Sequence, residues 1–132
     1  MKKAIMKDRP AFLSDFFFNF YNIDILKGMK ISDEAVRLSW NIGAGASPIG
    51  TLDCVSAWLD DFREELKRIN IPVLVMHGDA DRILPITATG KRTPEFIRGS
   101  KLVVIEGAPH GMNWTHAEEI NRELLTFLGE KK

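Results

Sequence analysis

The stretch IPVLVMHGDADRILP, residues 71–85, constrains this chain more than any other. Ile71, Val73, Leu74, Val75 and Met76 form an almost unbroken apolar run, the pattern of a strand buried on both faces, and Pro72 is tolerable only near its start. His77-Gly78-Asp79-Ala80-Asp81 follows at once, so the strand delivers ionisable side chains into a loop. A second stretch repeats the plan: an apolar strand over residues 101–105, a turn Gly107-Ala108-Pro109-His110-Gly111, then a helix from near Trp114. Parallel strands present such loops at one sheet edge, where an acid and a base can meet. Either Asp79 or Asp81 can serve as that acid, and His110 as the base. Asp79, directly after Gly78 at the strand end, is also well placed to bond loop amides.

The segments before residue 71 read as helices. Asp8 is a helix cap with Pro10 in the first turn, and Phe12, Leu13, Phe16, Phe17, Phe18, Phe20 and Tyr21 then wrap more than one face. That surface is expected to pack against the following helices or to line an apolar pocket. Ser32 caps a second helix whose core face is Ile31, Ala35, Leu38 and Ile42, ending at Gly43 and Gly45. Ser47-Pro48 opens a third, with Ile49, Leu52, Val55, Leu59 and Phe62 on one side, and residues 62–69 form a short fourth. Between the strands, residues 87–98 read as an irregular turn and a helix with Pro94 near its start. Ile120, Leu124, Leu125 and Leu128 mark a final amphipathic helix ending at Gly129.

Composition narrows the partners. Lys plus Arg and Asp plus Glu both number 18, and no basic stripe stands out, which argues against nucleic acid or an anionic membrane surface. Cys54 is the single cysteine and cannot form an internal disulfide. With neither a signal peptide nor a run of roughly 18 apolar residues, a cytoplasmic location is expected. His77, Asp79, Asp81 and His110 alternate along short loops without a helical ligand motif, so no metal site is expected. His77 and His116 are expected to be structural or exposed.

The combination L-V-M-H-G-D-A-D-R-I-L-P, followed by G-A-P-H-G and a terminal helix, resembles the carboxy-terminal part of α/β-hydrolases. The wording of G-A-P-H-G-M-N-W-T-H and A-S-P-I-G-T-L-D-C-V-S-A-W is most similar to the cofactor-free haloperoxidase and arylesterase branch. The resemblance covers residues from about 10 to 130. It implies a partial α/β-hydrolase fold: a helical cap segment, residues 1–61, then the last two parallel strands with their helices in a β-α-β-α part, residues 62–132. It also implies that Asp81 is the acid and His110 the base of a catalytic triad, with no cofactor. A triad base needs a carboxylate on one ring nitrogen so that the other can take the nucleophile's proton.

No G-x-S-x-G pentapeptide, the setting of the family's nucleophile, occurs in these residues. Ser47 is a decoy, since Pro48 removes the following amide that an oxyanion hole needs. Two expectations follow. The chain is the carboxy-terminal portion of a serine hydrolase or perhydrolase, acting on a small ester or acyl substrate only when a nucleophile-bearing portion completes it. The alternative is a non-catalytic, self-associating module. Either way, the Ile71 to Met76 edge, lacking a neighbour on one side, is expected to drive homo-oligomer formation.

Overall fold

The computed structural model describes residues 1–129; the last three residues of the expected 62–132 part lie outside it. The helical part opens with α1 (Lys2–Lys7), which the basic stretch before Asp8 did not announce, and α2 (Arg9–Phe20). It continues through α3 (Ile23–Leu26), α4 (Asp33–Gly45), α5 (Pro48–Ala57) and α6 (Arg63–Leu66). The expected caps are present: Asp8 accepts from the Ala11 amide at 3.0 Å, Ser32 from Ala35 at 3.1 Å and Ser47 from Gly50 at 3.1 Å. Each satisfies an amide that the first helical turn leaves free. Arg9 does the complementary job across space, donating to the carbonyls of Gly43, Ala44 and Ala46 at the carboxyl end of α4, where the helix dipole favours a cation.

How α4 meets α2 differs from expectation. Ile31 and Ala35 are buried, but Leu38 and Ile42 stand exposed. The face turned to α2 carries Ala35, Ser39 and Gly43: Ser39 bonds the Tyr21 hydroxyl at 2.8 Å, and a Cβ at Gly43 would lie 3.2 Å from both Leu13 and Phe17. The aromatic rings of α2 fill the gap, so small residues belong opposite them. Tyr21, Leu26, Ile31 and Ala35, with Phe17, Phe20, Ile23 and Val36 against them, form the core of this part. Ile49, Leu59 and Phe62, expected on the inner side of the next helices, are exposed as well.

The sheet has two parallel strands, β1 (Leu74–Gly78) and β2 (Lys101–Ile105), in register from Leu74 opposite Lys101 to Gly78 opposite Ile105. The expected strand over Ile71 to Met76 therefore starts late. Pro72 has no N–H for a ladder, Ile71 is 69% exposed, and the first inter-strand bond runs from the Lys101 amide to the Val73 carbonyl. Nor is β1 buried on both faces, for most of it is half-buried. The connection holds a short 3-10 helix, Gly90–Glu95, with Pro94 near its end rather than near the start of an α-helix, and Ile97 anchors it in the interior. After β2 come a short α7 (Met112–Thr115) and α8 (Ala117–Gly129), of which Ile120 joins Ile105 and Ala108 in a second small core. Leu124, Leu125 and Leu128 on α8 stay exposed, against expectation. No helix among the described residues is long and apolar enough to cross a membrane.

Candidate active site

Because β1 and β2 are parallel and in register, residues 79–81 and 106–110 leave the sheet side by side. Three contacts lace them together in sequence order. The Gly107 amide donates to Asp79 Oδ1 at 2.7 Å, the Ala80 amide to the Ala108 carbonyl at 3.2 Å, and His110 Nδ1 lies 2.8 Å from Asp81 Oδ2. The loops can come this close only because of Gly78, where an added Cβ would sit 2.1 Å from the Ala108 carbonyl oxygen. Ala108 and Pro109 are fully enclosed.

The two aspartates are divided as their neighbours dictate. Asp79 is exposed and ties a loop amide. Asp81 is buried, with only 4% of its side chain accessible, and its other oxygen accepts from the Ile83 and Leu84 amides at 2.8 Å each. Burial works against its charge. The bonds from the Leu84 amide, the His110 ring and the Ile83 amide outweigh that and hold the carboxyl below its ordinary range. An ionised Asp81 is an acceptor only, so His110 carries a proton on Nδ1, and in the neutral ring Nε2 is then the nitrogen with the lone pair.

His110 is half-buried. The Phe20 ring meets it edge-on at a centroid distance of 4.9 Å, and the Gly111 amide donates to the Phe20 carbonyl at 2.8 Å. A side chain at residue 111 would strike the Tyr21 and Phe20 rings, so glycine there lets α2 pack onto the base loop. His110 also opens onto a pocket of about 450 Å³ lined by Phe16, Trp58, Phe62, Ile83 and Leu84, with Met1 and Asp60 at its rim. The Phe-rich helix thus does both things expected of it: Phe17, Phe20 and Tyr21 pack the core, and Phe16 faces the pocket.

The remaining candidates fall elsewhere. His77 has a structural placement, with Nε2 2.9 Å from the Leu84 carbonyl and 3.2 Å from Asp81 Oδ2, which makes it a second neighbour of the buried acid. His116 is buried, with Nδ1 2.8 Å from the Thr115 hydroxyl. Cys54 is exposed on α5. Ser47 is engaged as a helix cap. No group of three or more His, Cys, Asp or Glu among the described residues is arranged to hold a metal ion. Sequence reasoning passed over Asn22. It lies fully buried after α2 and donates from Nδ2 to the Ala80 carbonyl at 2.9 Å. The signal available was an asparagine ending a helix, which reads as an ordinary turn residue.

No family model matches the chain. A Synechocystis protein provisionally named a non-heme chloroperoxidase is 56% identical over 126 residues, which cover 96% of this chain and 46% of that protein. A bifunctional esterase/perhydrolase from Acinetobacter calcoaceticus is 34% identical, over 97% of this chain and 47% of its own length. Among solved structures, a bromoperoxidase from Bacillus anthracis superimposes with a TM-score of 0.92 at 44% identity, covering 98% of this chain and 47% of that one. The chain thus spans about half the length of the curated relatives it matches.

Proposed function

We propose that this chain, similar over nearly its whole length to about half of several non-heme haloperoxidases, is a carboxy-terminal α/β-hydrolase portion that supplies the acid and base of a serine-hydrolase triad. The nucleophile and oxyanion donors come from a portion outside these 132 residues, on the same polypeptide or another. The observation that carries the reading is the 2.8 Å contact between Asp81 Oδ2 and His110 Nδ1 at the mouth of an apolar pocket.

The chemistry follows from that contact. Asp81 accepts the Nδ1 proton, so Nε2 removes the proton of a serine hydroxyl as the oxygen attacks an ester carbonyl. The imidazolium formed is stabilised by the Asp81 charge, and it returns the proton to the departing alcohol. The acyl-enzyme is then opened by water, giving a carboxylic acid, or by peroxide, giving a peracid; in each case His110 takes the acceptor's proton and passes it back to the serine oxygen. The peroxide route is supported by the Acinetobacter relative's name as an esterase/perhydrolase. An apolar lining of Phe16, Trp58 and Phe62 suits a small uncharged acyl group.

Without the nucleophile the chain is inactive. The test is co-expression with the nucleophile-bearing portion of the Synechocystis relative, followed by p-nitrophenyl acetate hydrolysis. Activity that appears only in the complex and disappears with His110→Ala is expected. A complex that forms but stays inert, or activity in this chain alone, overturns the reading.

A second reading, a non-catalytic self-associating module, is favoured by one observation: β1 pairs only with β2 among the described strands, so its other edge is unpaired.

A further inference from the structure

Asn22 carries two local costs. It is the one non-glycine residue with positive φ among those described, at 48°, and its Oδ1 is buried without a hydrogen-bond partner. Left-handed backbone disfavours residues with a Cβ, and a buried acceptor without a partner keeps the full cost of leaving water. Glycine would relieve both. What asparagine has and glycine lacks is the Nδ2 donor, and that donor is spent on the Ala80 carbonyl.

The position of that bond gives it meaning. The Ala80 carbonyl belongs to the peptide plane that leads directly into Asp81, while the Ala80 amide is held by Ala108 on the base loop. Asn22 therefore holds by its carbonyl the peptide that leads into Asp81, whose amide reaches the Gly78 carbonyl at a longer 3.4 Å; rotation of that peptide would swing the Asp81 carboxylate relative to His110. Its chain neighbours hold the rest of the assembly: Phe20 grips the base loop by its carbonyl and ring, and Asp24 binds the Arg82 guanidinium at 2.8 and 3.0 Å, just past the acid. Four contacts from five consecutive residues thus reach both loops. We infer that Asn22 is a positioning residue that, from the end of α2, sets the orientation of Asp81 towards His110. This rests on the reading of those two side chains as acid and base. A ~1 Å misplacement of a catalytic group lowers turnover steeply, so holding the acid in place offsets the two local costs.

Two substitutions isolate the donor. Asn22→Gly keeps the backbone conformation and removes the side chain; Asn22→Asp keeps shape and turns an acceptor towards Ala80. The readout is NMR of the His110 ring in the full chain, through the Nδ1 proton and its exchange with solvent, with circular dichroism reporting helix content. Both variants are expected to raise that exchange about tenfold, the loss of one hydrogen bond, with helix content unchanged. In the complemented enzyme kcat falls and KM holds, because Asn22 is not among the residues lining the pocket. Exchange equal to the parent's in folded variants overturns the inference and leaves Asn22 a purely structural residue. Should both variants fail to fold, Asn22→Ser, which shortens the side chain so that its hydroxyl cannot span to the Ala80 carbonyl, carries the test: a rise in exchange supports the inference and none overturns it. Failure of the functional reading looks different, since the ring proton would still respond while the complemented parent stayed inactive.

Discussion

The loop edge of the sheet and the stretch from α5 to Ile71 belong to one chain but obey different accounts. At the loop edge, Asn22, Ala108 and Pro109 are sealed, Asp81 is buried, and its carboxylate has a neighbour at each oxygen. From Pro48 to Ile71 no residue is buried, and Ile49, Trp58, Leu59, Phe62 and Ile71 are between 58 and 85% exposed. Hydrogen bonds between adjacent loops need only the two strands that deliver them. Apolar surface needs a second layer of chain to cover it, and a contiguous patch above a few hundred Å² ordinarily marks an interface. One region is closed by its own contacts and the other leaves its apolar side chains in water.

The largest effect expected is at the closed region. In the complemented enzyme Asp81→Asn should lower turnover by about 10⁴-fold, because the amide would leave His110 without its fixed tautomer, whereas Asp79→Asn still offers an oxygen to the Gly107 amide and should cost less than about tenfold. Steady-state kinetics on the two, after a check of folding, decides it; equal losses would merge the roles of the two aspartates. Gly78→Ala comes next. Its Cβ would meet backbone 2.1 Å away, so the loops must separate, and a loss of about 3–5 kcal/mol in urea denaturation is expected. A mild effect would mean that the loop edge is less tightly built than its contacts imply.

Much of this was readable in advance, for physical reasons that also mark the boundary. The caps Asp8, Ser32 and Ser47 are local, decided by a side chain and an amide three residues on. The juxtaposition of the two loops follows from two apolar strands, each running into a charged turn. What escaped depended on partners far away in sequence. The inner face of α4 is Ala35, Ser39 and Gly43 because aromatic rings from α2 need room, so a hydrophobic count that favours Leu38 and Ile42 points the wrong way. The donor on Ala80 comes from 58 residues upstream and leaves no periodic trace.

Acid should destabilise the folded chain in two steps. His116, buried beside Thr115, titrates below its ordinary value because burial disfavours its charge and Lys30 adds repulsion, partly offset by Glu119. Asp81 also titrates below its ordinary range. For both groups the unfolded chain takes up protons at higher pH than the folded one. Their contributions are therefore complete above the unfolded values and are lost as pH falls, from about 6.5 for His116 and again below about 4 for Asp81. Urea midpoints measured against pH should decline in that order, and His116→Gln should flatten the upper limb alone. A midpoint constant from pH 7 to 5 would refute the His116 assignment.

The smallest effect on the chain itself is expected where the surface is barest. Leu59 is 85% exposed, so Leu59→Ser removes almost no buried area, and the chain's stability should change by less than about 0.5 kcal/mol. The same substitution, paired with Trp58→Ser on the pocket side, should weaken assembly with the nucleophile-bearing portion, because in that complex the two side chains leave water and each contributes roughly 1.5–3 kcal/mol of burial. Urea denaturation of the isolated chain and titration calorimetry of the complex measure the two quantities separately. Light scattering adds the competing case: if the chain alone is an even oligomer that these substitutions dissociate, the bare surface serves a second copy of itself, and the self-associating module gains over the half-enzyme. If stability falls by several kcal/mol instead, the surface is already covered within the chain, and the contrast between a closed and an open region fails.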